Sequence, residues 1–131
     1  MDASIALAAL LPDERSSEAR RSLRLLESAT ALVPPVWELE VANVLVVAER
    51  RGQLDPGSSE RIVAGLSALG IVERKVPANL ARYAKVARDN DLTTYDASYL
   101  MLADFENVPL ATLDGRLRRA CAAVGVDALQ P

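Results

Sequence analysis

Four carboxylates stand where residue type and spacing make chemistry possible: Asp2 in DAS, Glu40 in WELEVANVL, Asp96 in LTTYDASYLMLA and Asp114 in PLATLD. The chain has no histidine and one cysteine, Cys121. That excludes a Ser-His-Asp triad, a Cys-His pair, an HExxH zinc site and an all-cysteine zinc or iron–sulfur site within one chain. The six glycines form neither GxGxxG nor a P-loop, so no nucleotide cradle is evident. Carboxylates, hydroxyls, Arg and Lys remain, and with these tools the favoured engine is a hard cation bound by carboxylates.

Helical spacing sharpens this reading. At about 100° per residue, Glu40 falls between Val36 and Val44, close to Val47, with Asn43 one turn on. Glu38 and Glu49 point to the opposite, solvent side. Asp96 is followed at i+3, i+4 and i+7 by Tyr99, Leu100 and Ala103, which places it on the apolar side of its helix. A buried carboxylate neutralises or finds a partner, and several together repel one another. A divalent cation removes that conflict. Mg²⁺ takes hard oxygen ligands and keeps waters, and two such ions clamp the oxygens of a phosphodiester.

Each acid also has a purely structural explanation. Asp2 suits an N-cap for a helix starting near Ser4, Asp96 the end of a T-x-x-D capping arrangement with Thr93, and Asp114 an N-cap for the helix holding Arg116 and Arg118. For Glu40 the corresponding explanation is a buried ion pair with an arginine from elsewhere. Capping and metal binding are compatible, because a helix N-terminus stabilises an ionised carboxylate. Ser4 and Thr112 suit either caps or site hydroxyls. Trp37, Tyr83, Tyr95 and Tyr99 read as core or rim packing, and Cys121 as a small buried apolar residue.

The elements that must position these residues alternate. Short β-prone runs occur at 31–33, 71–76 and 108–112, with a last extended piece after Gly125 and Val126. Helical periodicity predicts helices near 4–11, 15–28, 36–51, 58–69, 78–90, 94–105 and 114–123. Strands alternating with helices imply a small α/β domain with a largely parallel sheet, and the 131 residues suit a single domain, 1–131. Glu40 and Asp114 then follow strands, where such sheets carry their sites.

Half the residues are hydrophobic, a quarter are charged, and the net charge is −3, which argues against nucleic-acid binding by bulk charge alone. Setting the four acids aside leaves 14 acidic against 15 basic residues. The apolar run IALAALL, 5–11, is too short to span a bilayer and lacks a basic flank, so a cytoplasmic, non-membrane protein is expected. Arg20, Arg21 and Arg24, like Arg116, Arg118 and Arg119, read as solvated faces and as natural phosphate contacts if RNA binds.

In order and spacing, DAS, WELEVANVL, LTTYDASYLMLA and PLATLD resemble PIN-domain ribonucleases, in particular VapC-type toxins of toxin–antitoxin pairs, over nearly the whole chain. The resemblance implies a PIN-like three-layer α/β fold with a small, mostly parallel sheet flanked by helices. It implies that Asp2, Glu40, Asp96 and Asp114 form a catalytic acidic cluster that binds Mg²⁺ or Mn²⁺ and cleaves RNA with metal-activated water. Ser4, Asn43 and Thr112 match supporting polar positions. The implied partners are an RNA substrate, a cognate antitoxin and a second copy in a homodimer. One departure is plain: the family has a hydrophobic strand before the first aspartate, and here only Met1 precedes Asp2, so the first strand reads as truncated.

Two other functions compete. One is a catalytically weakened PIN-fold protein that binds a partner or RNA. The other is a phosphotransfer enzyme with an aspartate nucleophile, which expects D-x-D where the chain has Asp2-Ala3-Ser4.

Overall fold

The computed structural model describes residues 1–10, 17, 20, 21, 24, 26 and 28–129. Its elements are α1 (Ala3–Leu10), β1 (Ala31–Val33), α2 (Val36–Arg50), α3 (Pro56–Ser67), β2 (Ile71–Glu73), α4 (Leu80–Asp89), α5 (Thr94–Glu106), β3 (Leu110–Ala111), α6 (Gly115–Val124) and β4 (Ala128–Leu129). Most of the helix expected near 15–28 lies outside the described residues; within it, Ser17, Arg20, Arg21 and Arg24 are helical and exposed.

Local chemistry sets the boundaries. Asp55 caps α3 by accepting from the Ser58 amide, and Asn79 caps α4 by accepting from the Arg82 amide. Helix α6 ends at Gly125, whose φ of 81° is the left-handed conformation that glycine adopts without a Cβ clash. β1 matches the run at 31–33, whereas β2 and β3 are shorter than the β-prone runs 71–76 and 108–112. β1 stops at Val33 because Pro34 has no N–H, so β2 loses its ladder partner after Glu73. Pro109 likewise has no amide to offer, and β3 begins after it.

The strands form two parallel pairs. Ala31, Leu32 and Val33 lie beside Ile71, Val72 and Glu73, while Leu110 and Ala111 lie beside Ala128 and Leu129. The first two residues of the chain join the pairs. The Met1 ammonium donates to the Leu32 carbonyl at 2.9 Å, and the Asp2 amide donates to the Ala111 carbonyl at 2.9 Å. Met1 and Asp2 therefore bridge the two strand pairs.

Helix α5 packs against β1 and β3, and α1 packs against α2. From α2, Trp37, Val41, Leu45 and Ala48 enter the core, and from α5 every residue from Ala97 to Ala103 is buried. Ile5, Tyr99, Leu100, Leu110, Leu117 and Cys121 are fully buried. Each large apolar side chain so placed contributes about 1.5–3 kcal/mol relative to exposure. The buried stripe of α2 is 37/41/45/48, whereas Val36, Val44 and Val47 are only half-buried. Glu40 thus sits on the shoulder of the helix, not on its innermost face.

Candidate metal centre

Asp2 is the most firmly held of the four acids. It is 8% exposed. Its Oδ1 accepts from the Ser4 amide at 3.3 Å, and its Oδ2 accepts from the Ser4 hydroxyl at 2.7 Å and the Thr112 hydroxyl at 2.5 Å. Asp2 therefore caps α1 as expected and is tied to β3 as well. Ser4, Thr112 and the Ala111 carbonyl anchor it. Thr112 is fully buried, and its oxygen also accepts from the Asp114 amide at 3.0 Å. The Ser4 oxygen accepts from the Leu113 amide at 3.1 Å. Two hydroxyls thus lock the start of the chain to the turn after β3.

Among the described residues, Glu40 has no arginine partner. Its Oε2 accepts a hydrogen bond from the Tyr99 hydroxyl. The sequence reading of Tyr99 as packing needs correction: its ring is buried as expected, but its hydroxyl serves the site. A buried phenol normally finds a hydrogen-bond partner, and Tyr99 lies one turn from Asp96 on the same helix, which was the available signal. Burial pushes the Glu40 carboxyl above the usual carboxylate range; the Tyr99 bond opposes that, and the nearby charges of Asp2 and Asp96 add to it. Burial, followed by the Glu40 bond and charge, pushes the Tyr99 hydroxyl far upward, so it stays a donor.

Asp96 sits in the first turn of α5. Its amide donates to the Thr93 hydroxyl oxygen at 3.0 Å, and the Thr93 hydroxyl donates back to Asp96 Oδ2 at 2.7 Å. The capping arrangement is therefore present, and Asp96 also lies within electrostatic reach of Glu40. Asp114 caps α6: its Oδ1 accepts from the Arg116 and Leu117 amides at 2.6 and 3.0 Å. It is exposed and reaches Asp2 only indirectly, through Thr112. Asn43 is exposed and makes no hydrogen bond to the acids, so its place beside Glu40 on the helical wheel does not become a contact. Tyr95, at 59% exposure, is not packed either.

Asp2, Glu40 and Asp96 thus form one electrostatic group, with Asp114 at its margin. Among the described residues, no three carboxylates converge closely enough to cage an ion as they stand. The donor set nevertheless fits a hard divalent cation held partly through water. Every donor is an oxygen, and the charges of Asp2 and Asp96 add to the upward push on Glu40. Glu40, Asp96 and Asp114 each bind the protein through one oxygen, which leaves Oε1 of Glu40, Oδ1 of Asp96 and Oδ2 of Asp114 without a partner among the described residues.

Residues 1–123 match the PIN domain family. The chain is 32% identical over 117 residues to the VapC ribonuclease Mb0985 of Mycobacterium bovis and to the ribonuclease VapC9 of Mycobacterium tuberculosis, covering 89% of this chain and 86% of each relative. A crystal structure of PAE2754 from Pyrobaculum aerophilum superposes with a TM-score of 0.67 at 26% identity, covering 91% of this chain and 76% of that one. The chain belongs to the PIN-domain family, among its VapC-type ribonucleases.

Proposed function

We propose that this protein is a metal-dependent endoribonuclease, the toxin of a toxin–antitoxin pair, and that Asp2, Glu40, Asp96 and Asp114 hold Mg²⁺ or Mn²⁺. The observation that carries the reading is the convergence on Glu40 of the charges of Asp2 and Asp96, with Glu40 fixed by Tyr99 and Asp2 by Ser4 and Thr112. A bound divalent cation supplies Lewis acidity there: it offsets the repulsion among the acids and makes water a better nucleophile. Tyr99 keeps Glu40 in one orientation, and the Ser4 and Thr112 hydroxyls do the same for Asp2. Asp114 joins from the N-cap of α6, where the amides of Arg116 and Leu117 hold its Oδ1. Arg116 and Arg119, exposed on that helix, suit phosphate contacts.

The resemblance extends to a cytoplasmic homodimer restrained by a cognate antitoxin. A cavity of about 380 Å³ between α2 and α3 supports the antitoxin: Trp37, Val41, Leu45, Val63 and Leu66 line it, and the buried Trp37 indole N–H has no hydrogen-bond partner among the described residues. An apolar segment that brings one carbonyl oxygen would fill the groove and satisfy that donor. Among the described residues, no helix is long and apolar enough to cross a membrane.

The test is cleavage of labelled single-stranded RNA by purified protein in EDTA, Mg²⁺ and Mn²⁺, beside the Asp96→Asn variant. The expected result is cleavage with metal only, leaving 5′-phosphate and 3′-hydroxyl ends, and none by the variant. Cleavage by Asp96→Asn at the wild-type rate would remove the assignment. The absence of a ready three-carboxylate cage favours a second reading, a PIN-fold module that binds without cutting. RNA retained by the protein but uncut in both metals would select it.

A further inference from the structure

Tyr95 stands in the first turn of α5 with its ring in solvent, and it belongs to neither buried apolar cluster. Its hydroxyl has no hydrogen-bond partner among the described residues, unlike that of Tyr99. Side chains four apart lie on one face of a helix, one above the other. Tyr95 therefore precedes Tyr99 by one turn on the face that Tyr99 turns to Glu40. Tyr99 is fully buried, so the row from Tyr95 to Tyr99 runs from solvent inward to the acids. Asp96, next to Tyr95 in the chain, is half-buried in the same turn, is bonded by the Thr93 hydroxyl and adds its charge to Glu40. The Ser98 hydroxyl donates to the Tyr95 carbonyl at 2.6 Å and ties down the turn that carries the ring.

A net charge of −3 gives the chain little bulk attraction for phosphate. RNA that reaches the acids must then be held in part by contacts other than charge. An aromatic ring beside the reacting phosphate supplies one, because every base has a π-face and stacking asks for no particular sequence. It does ask for an unpaired base, since single-stranded bases are the ones that can splay out onto a side chain.

We infer that Tyr95 is a substrate-binding residue, whose ring stacks on an unpaired base next to the phosphodiester held at Asp2, Glu40 and Asp96. The inference rests on the ribonuclease reading of those acids and adds the group that holds the base. Phe105 supplies a contrast within the same helix. It is exposed as well, but it lies ten residues further on, roughly 15 Å along the helix axis, in the turn farthest from the acids.

The test is steady-state cleavage of labelled, random-sequence single-stranded RNA in Mn²⁺ by wild type, Tyr95→Ala, Tyr95→Phe, Tyr95→Trp and Phe105→Ala. Tyr95→Ala should raise KM at least about fivefold, the lower end of the loss when a stacking ring is removed, and leave kcat near wild type. Tyr95→Phe, Tyr95→Trp and Phe105→Ala should keep the wild-type KM. An unchanged KM in Tyr95→Ala would overturn the inference and leave the nuclease reading standing. An equal rise in Tyr95→Phe would overturn it as well, because the hydroxyl and not the ring would then be in use. So would an equal rise in Phe105→Ala, which would make the effect one of apolar surface at large. If wild type cuts nothing, the nuclease reading fails by itself, and fluorescence anisotropy of the same RNA decides the role of Tyr95. Weaker binding by Tyr95→Ala but not by Phe105→Ala supports it; equal binding, or none by wild type, overturns it.

Discussion

The Tyr99 hydroxyl donates to the Glu40 carboxylate and so joins α5 to α2 across 59 positions of sequence. The bond opposes the upward push of burial and of Asp2 and Asp96 on Glu40. Tyr99→Phe keeps the buried ring and removes the donor. Its expected effects are a further rise in the Glu40 titration midpoint, followed by carboxyl NMR, and a loss of about 1–3 kcal/mol of stability, as for a hydrogen bond to a charged group. An unchanged midpoint would show that the hydroxyl does not serve Glu40 in solution.

The pH dependence follows from the same residue. The folded-state pKa of Glu40 lies above its ordinary value, so the folded form binds this proton more tightly than the unfolded form does. The contribution is fully present below the unfolded value and is lost as pH rises through the folded one. Burial pushes the Met1 ammonium down from 8.0 to about 6, with the opposite sign: its contribution is present above 8.0 and lost as pH falls toward 6. Melting wild type against Glu40→Gln cancels the Met1 effect. In EDTA, the wild-type advantage over Glu40→Gln should shrink as pH rises from the ordinary carboxylate range to 7. A pH-independent difference would refute the raised pKa.

Thr112 ties two acids together from a fully buried position. Thr112→Val conserves shape and leaves the Asp2 oxygen and the Asp114 amide each short of a partner. The expected cost is about 1–3 kcal/mol in chemical denaturation, with Thr112→Ser recovering much of it. Equal loss in both variants would mean that packing, not the hydroxyl, is what counts.

Asp114 combines a cap with a proposed ligand, and the two roles separate. Ser is as good an N-cap as Asp, so Asp114→Ser should melt near wild type, whereas Asp114→Ala should lose about 1 kcal/mol. RNA cleavage should fall in both. Full cleavage by Asp114→Ser would leave Asp114 as a cap alone.

Sequence legibility tracked the range of the interaction. The caps at Thr93–Asp96 and Asp114, and the glycine that ends α6, act within a few residues and were readable from residue types alone. The parallel α/β alternation was readable too, because helical and strand periods differ. Glu40 was recognisable as an unusual acid, but not its partner, since Tyr99 is brought near only by the packing of α5 against the sheet. The same holds for Thr112 and Asp2, which are 110 positions apart. The lengths of β2 and β3, but not of β1, were overread because Pro34 and Pro109 act through the ladder, which propensity does not capture.

The central claim is that Asp2, Glu40 and Asp96 share a divalent cation, and the most direct measurement is a thermal melt of wild type and Asp96→Asn, each in EDTA and in excess Mn²⁺. A site filled at about a hundred times its Kd adds about 2.7 kcal/mol to the folded state. Wild type should melt higher in Mn²⁺ than in EDTA, and Asp96→Asn should lose most of that gain while melting no lower than wild type in EDTA, because one repelling charge is gone. Identical wild-type curves in Mn²⁺ and EDTA, or an equal Mn²⁺ gain in the variant, would contradict the metal site.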